Sequence, residues 1–136
     1  MKWSIQQLRK LPTPYHFSDT IDFSEWIKSV DDIISIDKVE VTGDISKIDE
    51  ETFRFVYQFV ANMELQCALT LRPVPYVIDL TCDEVYSKVD SDDYFLIEKN
   101  TVDLDEMVWT NILLEKPINV TLPNAHEILK SEGVVL

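Results

Sequence analysis

Apolar side chains occupy every odd position in residues 53–71, and this alternation is the clearest pattern in the chain. The odd positions hold only Phe, Tyr, Ala, Met, Leu and Cys, whereas most even positions are polar, as at Arg54 and Glu64. A period of two places alternate side chains on opposite faces of a β-strand, and no helix gathers this spacing on one side. The run therefore predicts a strand with one buried face.

The length of this run predicts a curved sheet. At about 3.3 Å per residue, the nineteen residues of 53–71 would span roughly 63 Å if straight. A compact chain of 136 residues has a radius of gyration of about 14 Å and is roughly 35–40 Å across. We therefore expect the segment to coil, to bulge or to divide into two strands, with Asn62 as its weakest point. The expected fold class is α+β: a strongly bent, mainly antiparallel β-sheet with two or three short helices. One possibility is that the sheet closes partly, like a barrel.

Shorter patterns predict the other elements. Residues 2–11 are predicted as a strand that ends at Pro12, and residues 76–86 as the hairpin partner of the long strand. Further extended segments are predicted at 15–21, 39–43, 94–98 and 118–122. A helix over 23–29 is predicted to begin at a capping box of Asp22 and Glu25 and to bury Trp26, Ile27 and Val30, and Asp31 and Asp32 suit a second helix cap. Gly43 and Asp44 predict a bulge or turn, and residues 49–51 predict a polar link.

The strongest helix signal begins at Asp103 and ends at Pro117. Asp103 and Glu106 have the spacing of a capping box, and acidic side chains at this end interact favourably with the helix dipole. The predicted buried stripe comprises Leu104, Met107, Val108, Ile112 and Leu114. The chain is expected to form one domain over residues 1–136, with a loosely held tail from about residue 123.

Composition and charge narrow the classes of function. The net charge of −13 disfavours a general electrostatic attraction to RNA or DNA and favours cationic partners such as a basic protein. With only two glycines, the chain lacks GxGxxG and Walker-type phosphate loops. Neither a membrane span nor a secretory signal is predicted, so we expect a cytoplasmic protein with Cys67 and Cys82 as reduced, buried thiols.

The strongest local charge lies in residues 79–106, where ten acidic residues and two lysines give a net charge of −8. We predict a docking surface for a basic polypeptide here, and the alternative is a plain solvated acidic loop. The candidate partner-binding residues are Asp83, Glu84, Asp90, Asp92, Asp93 and Glu98.

A smaller set of basic residues is a second candidate interface. Folding could bring them to one edge of the sheet, where they would face RNA. The alternative is that lysine and arginine protect exposed strand edges against aggregation. The candidate RNA-facing residues are Lys2, Arg9, Lys10, Arg54 and Arg72.

The sequence holds no pattern typical of an enzyme or a metal protein. A zinc site needs four nitrogen or sulfur ligands, usually in close pairs, whereas His16 and His126 are far apart and no CxxC is present. A catalytic triad would need one of these histidines beside a nucleophile. Acidic pairs such as Asp92 and Asp93 are compatible with a magnesium-dependent nuclease, although solvated loop charge is the simpler interpretation. We expect a protein that is not an enzyme and has no metal or cofactor.

Two segments match the pattern of a known family. Residues 65–74 combine a cysteine near the end of a long strand, a short turn and a proline, and residues 102–117 form a hydrophobic and acidic helix that runs to a proline. The chain in these segments resembles the YceD-like family, bacterial and plastid proteins linked to accumulation of large-subunit ribosomal RNA. The matching positions are Cys67, Arg72, Pro73, Asp103 and Pro117.

The resemblance implies a role in large ribosomal subunit assembly and 23S rRNA accumulation. Many members carry an arginine where this chain has Leu69 and a second cysteine where it has Thr70, and some carry cysteines where it has Asn119 and Thr121. A zinc or redox role therefore does not carry over. Charge suggests that the chain binds a basic large-subunit ribosomal protein or a pre-ribosomal particle. Direct rRNA binding and metal-dependent nuclease activity are the alternatives.

Overall fold

The computed structural model describes residues 1–117 and 120–121, and within these ranges it contains eight strands and two α-helices. The predicted α+β class with a mainly antiparallel sheet is confirmed. In chain order the elements are β1 (Lys2–Ser4), α1 (Ile5–Lys10), β2 (Tyr15–Ile21), a 3₁₀ turn (Trp26–Ser29), β3 (Ile33–Ile36), β4 (Val39–Asp49), β5 (Thr52–Gln66), β6 (Pro73–Ser87), β7 (Phe95–Leu96), β8 (Thr101–Asp103) and α2 (Leu104–Glu115).

Six strands form one sheet around β5. Their order is β2-β4-β5-β6-β7, with β3 also paired to β5. All pairs in this sheet are antiparallel except β6 with β7, which is parallel. The β1 and β8 strands form a separate two-stranded ribbon. The sheet is open rather than barrel-like, since β2 and β7 are its outer strands in the described part of the chain.

The long strand ends at Gln66, because residues 67–72 turn the chain into β6 and complete the predicted hairpin. The predicted break at Asn62 is wrong, since β5 keeps one register with β6 over its whole length. On its other edge, away from β6, β5 changes its pairing partner. There β4 pairs as far as Val60 and β3 takes over from Met63, while Asn62 accepts a backbone hydrogen bond from Asp37 between them. The sheet thus accommodates a long strand by exchanging one neighbour.

The odd-numbered face of β5 is the centre of the core, as predicted. Its side chains from Phe53 to Leu65 are at most 4% exposed. Apolar burial is the main favourable contribution to folding. Side chains from the other elements complete this core, and they include Leu8, Phe17, Val41, Ile45, Leu104 and Val108.

The predicted strand over residues 2–11 is wrong beyond Ser4, because a short helix, α1, begins at Ile5. Ser4 and Gln7 form a capping box in which the Gln7 amide donates to Ser4 Oγ at 3.1 Å and the Ser4 amide donates to Gln7 Oε1 at 2.8 Å. Ile5 and Leu8, three residues apart, are both buried on one face of this helix.

The predicted helix over 23–29 is a single 3₁₀ turn. Asp22 accepts a hydrogen bond from the Ser24 amide at 2.9 Å, which forms an Asx turn instead of the predicted capping box with Glu25. Phe23 provides the buried side chain of this segment. Three residues predicted as buried are only half-buried against the core: Trp26, Ile27 and Val30.

Asp31 and Asp32 do not cap a helix, because the next element is the strand β3. Asp32 instead accepts a hydrogen bond from Lys116 Nζ at 2.7 Å. This ion pair joins the loop before β3 to the end of α2, and the Lys116 side chain is only 15% exposed. A partly buried pair of this kind links elements that are far apart in the sequence.

Gly43 lies in the middle of β4, and the predicted turn or bulge at this residue is wrong. It pairs in regular register with Tyr57 on one side and Phe17 on the other. A β carbon at Gly43 would lie 2.6 Å from both Tyr57 Cβ and Val56 O. Glycine is required here because the neighbouring side chain and backbone approach so closely.

α2 follows the prediction with two differences. Asp103 caps it, but the capping hydrogen bond comes from the Asp105 amide at 3.0 Å rather than from Glu106. Lys116, the residue before Pro117, is extended, as residues before proline usually are. Four of the five predicted stripe residues are buried, whereas Leu114 is 75% exposed.

The other predictions have mixed outcomes. The extended segment at 15–21 and the polar link at 49–51 are confirmed, whereas the strand predicted at 94–98 is reduced to β7. The strand predicted at 118–122 lies mostly outside the described residues, although Val120 forms one parallel bridge with Cys67. The predicted tail from 123 lies wholly outside them. No helix in the described ranges is long and apolar enough to span a bilayer.

Substitution of Gly43 by alanine tests the close approach of β4 to β5. We expect Gly43→Ala to lower the free energy of unfolding by about 2 kcal/mol, because a strand or the Phe17 ring must move to admit the methyl group. Equilibrium unfolding in urea measures this change. Thr42→Ala, at an exposed neighbouring position, is the control and should cost less than about 1 kcal/mol. Equal losses in the two variants would contradict the steric explanation.

Candidate binding groove

A groove of about 490 Å³ lies between α2 and the segment that runs from β6 to β8. This volume is in the range of typical ligand pockets. Tyr86, Phe95, Val102 and Asn111 belong to its lining. The charged residues that line it are Lys2, Lys99, Glu84, Glu98, Asp103 and Glu106. Carboxylates outnumber ammonium groups in this set, so the groove is acidic.

Glu84 occupies a position that the sheet otherwise gives to core residues. It lies opposite Phe55 in the β5–β6 ladder. Cys82 and Tyr86, two residues before and after it, share its face of β6. A carboxylate among apolar side chains is costly to bury unless it accepts hydrogen bonds. Glu84 is half-buried and reaches the groove, so its carboxylate lies at the boundary between core and solvent.

Three side chains donate hydrogen bonds to the Glu84 carboxylate. The hydroxyl groups of Tyr57 and Tyr86 donate to Oε1 at 2.6 Å and 3.3 Å. The Asn111 amide donates to Oε2 at 3.3 Å, and it also contacts the Tyr57 hydroxyl at 2.8 Å and the Met107 carbonyl at 3.0 Å. These contacts connect β5, β6 and α2, and they hold the carboxylate in a defined position.

The ionisable groups around Glu84 are kept neutral. Burial, and then the hydrogen bond and charge of Glu84, raise the pKa of Tyr57. Burial, followed by the charge of Glu84, likewise raises the pKa of Tyr86. Burial also raises the pKa of the Cys82 thiol to about 11. The groove therefore presents neutral hydroxyl donors and negative charge, an arrangement suited to binding a cation.

The six predicted partner-binding acids do not form one continuous surface. Asp83 lies on the opposite face of β6 from Glu84, and both of its carboxylate oxygens accept hydrogen bonds from Arg54. Glu84 and Glu98 line the groove. The other three acids are exposed in the loop of residues 88–94, which we call the acidic loop and which joins β6 to β7: Asp90, Asp92 and Asp93. Five of the six predicted acids thus lie in the groove or in this loop.

The predicted basic residues are not collected at one sheet edge. Arg54 lies near one end of the β5–β6 hairpin, whereas Arg72 lies in the turn at the other end. The twelve residue-to-residue steps of β5 from Arg54 to Gln66 correspond to roughly 40 Å of strand. Lys10 is exposed at the end of α1. The expected single basic edge is therefore not formed.

Several of these basic residues are also engaged with acids. Arg54 pairs with Asp83, and Arg9 donates to Glu51 at 2.8 Å. Lys2 lines the acidic groove itself. These pairs reduce the positive charge that the region offers to a polyanion.

The positions that carry the family resemblance lie at two places in the fold. Cys67 is buried at the start of the β5–β6 turn, where its backbone amide donates to the Arg72 carbonyl at 2.8 Å, and Pro73 begins β6. Asp103 caps α2, and Pro117 follows its end. The burial expected for Cys67 and Cys82 is confirmed.

Residues that could hold a metal do not cluster in the described ranges. Across 1–117 and 120–121, no group of three or more His, Cys, Asp or Glu side chains is placed to bind an ion. His16 is exposed, and its Nδ1 lies 3.0 Å from Asp44. His126 lies outside the described residues.

Sequence reasoning identifies Glu84 as an acid but does not identify Tyr57, Tyr86 and Asn111 as its neighbours. The signal in the sequence that could identify them is the alternation of apolar and polar positions along the two strands. Tyr57 and Glu84 both place polar atoms at positions where the alternation of their strands predicts apolar ones. A hydroxyl and a carboxylate on diagonal positions of the same face of two paired strands indicate a polar site at the edge of the core.

These features define an α+β protein with an open antiparallel sheet and an acidic groove beside its C-terminal helix. The chain belongs to the same family as the uncharacterized protein YlbN of Bacillus subtilis (strain 168). The two are 30% identical over 133 residues, which cover 93% of this chain and 77% of YlbN. No family model matches the chain, and no solved structure matches it.

The raised pKa values predict a loss of stability in alkaline solution. The pKa values of Cys82, Tyr57 and Tyr86 lie above the ordinary values of 9.0 for the thiol and 10.0 for the phenols. The folded protein therefore retains protons that the unfolded chain releases. The stabilisation is complete below the unfolded pKa values and is lost as the pH rises through the folded ones. We expect the free energy of unfolding to decline above about pH 9, by up to about 1.4 kcal/mol per pH unit for each group.

Urea unfolding between neutral and alkaline pH measures this decline. Tyr57→Phe should make it shallower, because one of the three groups no longer titrates. Tyr94→Phe, at an exposed position, is the control and should keep the wild-type slope. A wild-type stability that does not change through this pH range would contradict the expectation.

Proposed function

We propose that this protein is a non-enzymatic factor that binds a basic ribosomal protein during assembly of the large ribosomal subunit and so supports accumulation of 23S rRNA. The observation that carries the proposal is the acidic groove together with the acidic loop that joins two of its strands. The proposal assigns the protein to the cytoplasm, where bacterial ribosomes assemble.

The charge of this region suits a cationic polypeptide. Asp90, Asp92 and Asp93 are exposed, and none of them forms an ion pair with a Lys, Arg or His of the described residues. Their charge is therefore not neutralised by the described residues. Complementary charge accelerates association and selects against partners of the same sign.

Apolar side chains beside these acids supply contact area. Phe95 is 53% exposed and Leu114 is 75% exposed, and both line the groove. Val89 and Leu96, in and next to the acidic loop, are also exposed. Protein interfaces commonly combine an apolar centre with a polar rim, and this surface has both components.

The resemblance to the YceD-like family supports the link to the large subunit. A strongly basic ribosomal protein that is not yet assembled would attract RNA phosphates without sequence preference. A partner with a net charge of −13 would neutralise part of that charge until the ribosomal protein meets its site on the particle. Direct binding of rRNA has less support, because most of the candidate basic residues lie beside acids.

Titration with purified basic large-subunit ribosomal proteins tests the proposal. We expect at least one of them to bind, with an affinity that falls as salt increases from about 0.1 M to about 1 M, because the Debye length shortens from about 10 Å to about 3 Å. Isothermal titration calorimetry at each salt concentration measures the affinity. An rRNA fragment titrated under the same conditions is the comparison. Binding of rRNA alone, or no salt-sensitive binding of any basic protein, would contradict the proposal.

A matched pair of variants locates the interaction. The triple substitution D90N, D92N and D93N neutralises the acidic loop, whereas D31N, D37N and E40Q remove the same charge from exposed positions outside the groove. We expect the loop variant to weaken binding several-fold more than the matched variant, because proximity strengthens the attraction between charges. Equal weakening would contradict a role for the acidic loop.

A further inference from the structure

We propose that Glu84 and the stacked rings of Tyr86 and Phe95 form a pocket for the guanidinium group of an arginine side chain. The inference rests on the proposed function, because the arginine would belong to the basic partner. It goes further by assigning one recognition contact within the groove and a preference for arginine over lysine.

The Glu84 carboxylate has unused capacity to accept hydrogen bonds at Oε2. The Asn111 amide nitrogen has two hydrogens but three acceptors within reach. The contacts to the Tyr57 hydroxyl at 2.8 Å and to the Met107 carbonyl at 3.0 Å are shorter than the 3.3 Å contact to Oε2. The hydrogen bond from Asn111 to Oε2 is therefore the weakest of the three. Oε2 belongs to a side chain that lines the groove.

Glu84 also lacks a cationic partner within the described part of the chain. No Lys, Arg or His of these residues forms an ion pair with it. The ammonium groups that line the groove belong to Lys2 and Lys99, and Lys2 Nζ lies 3.9 Å from Asp103 Oδ2. A half-buried carboxylate supported only by neutral donors attracts an external cation.

The aromatic pair gives the pocket a wall that suits a planar cation. The rings of Tyr86 and Phe95 stack with centroids 5.0 Å apart and planes at 22°, and both line the groove. A guanidinium group binds a carboxylate through two parallel hydrogen bonds and stacks on aromatic rings, whereas an ammonium group is compact and more strongly hydrated. The combination of carboxylate and ring therefore favours arginine.

The strands hold these groups in place before any ligand binds. Glu84 and Tyr86 lie on the same face of β6 because they are two residues apart. Phe95 is fixed beside them by the parallel register of β7, in which it pairs with Tyr86. A site on paired strands loses less entropy on binding than one on a free loop.

Three peptides of one sequence test the pocket, with arginine, lysine or the neutral isostere citrulline at one central position among flanking lysines. We expect the arginine peptide to bind the wild-type protein about fivefold to tenfold more tightly than the lysine peptide. Citrulline should bind most weakly, because it carries no charge there. Calorimetric titration measures the three affinities.

Variants separate the pocket from general electrostatics. Glu84→Gln should remove the preference for arginine. Phe95→Ala should reduce it without changing charge, and because Phe95 is largely exposed this variant is expected to fold even if Glu84→Gln does not. Asp92→Asn, in the acidic loop, should weaken binding of the arginine and lysine peptides by the same factor. Thermal unfolding of each variant verifies that it is folded.

The two proposals fail in different ways. Equal affinity of the wild-type protein for the arginine and lysine peptides would overturn the pocket, even if a basic ribosomal protein binds. An arginine preference that survives in both Glu84→Gln and Phe95→Ala would also overturn it. Selective arginine binding without binding of any basic ribosomal protein would support the pocket and contradict the proposed function.

Discussion

Burial of one face of β5 is the constraint on which the rest of the structure depends. Fully burying a large apolar side chain contributes about 1.5–3 kcal/mol, and a domain is stable by only about 5–15 kcal/mol in total. The ring-bearing residues Phe53, Phe55, Tyr57 and Phe59 are all at most 1% exposed and follow one another on this face. β4 and β6 pair with β5 and extend this buried face on either side, and α2 contributes Leu104 and Val108 to the same core.

The acidic groove follows from the composition of the core at its edge on β6. On the β6 side the alternation continues into Glu84, a charged residue at an inward position. Tyr57 and Asn111 compensate by donating hydrogen bonds, so the polar site is built from the same elements that build the core. Stability and recognition are thus connected in this region, because the groups that hold the carboxylate also pack β5, β6 and α2 against one another.

The sequence is informative where one period dominates and uninformative where several interactions compete. The strands around 53–71 and 76–86, their hairpin and the helix from Asp103 to Pro117 can be predicted, because alternation and capping agree with tertiary packing. Residues 2–11 are misassigned, because the capping box of Ser4 and Gln7 outweighs a short alternation. The acids of the candidate site can be identified from composition, but their division between two faces and the pairing of Asp83 with Arg54 depend on register.

The exchange of neighbours at Asn62 has a consequence for how the sheet opens. β3 has four residues and pairs only with the last part of β5, whereas β4 has eleven residues and pairs with β5 and, over residues 39–45, with β2 as well. Detaching β3 therefore breaks only its short ladder with β5 and leaves the ladders of β4 with β2 and β5 intact. Outside this ladder, β3 is held by the burial of Ile33 and Ile36 in the core and by the contact of Lys116 with Asp32 just before the strand begins. Because β3 has the shorter ladder, we expect it to open locally at a lower free energy than β4, so that its backbone amides exchange with solvent first.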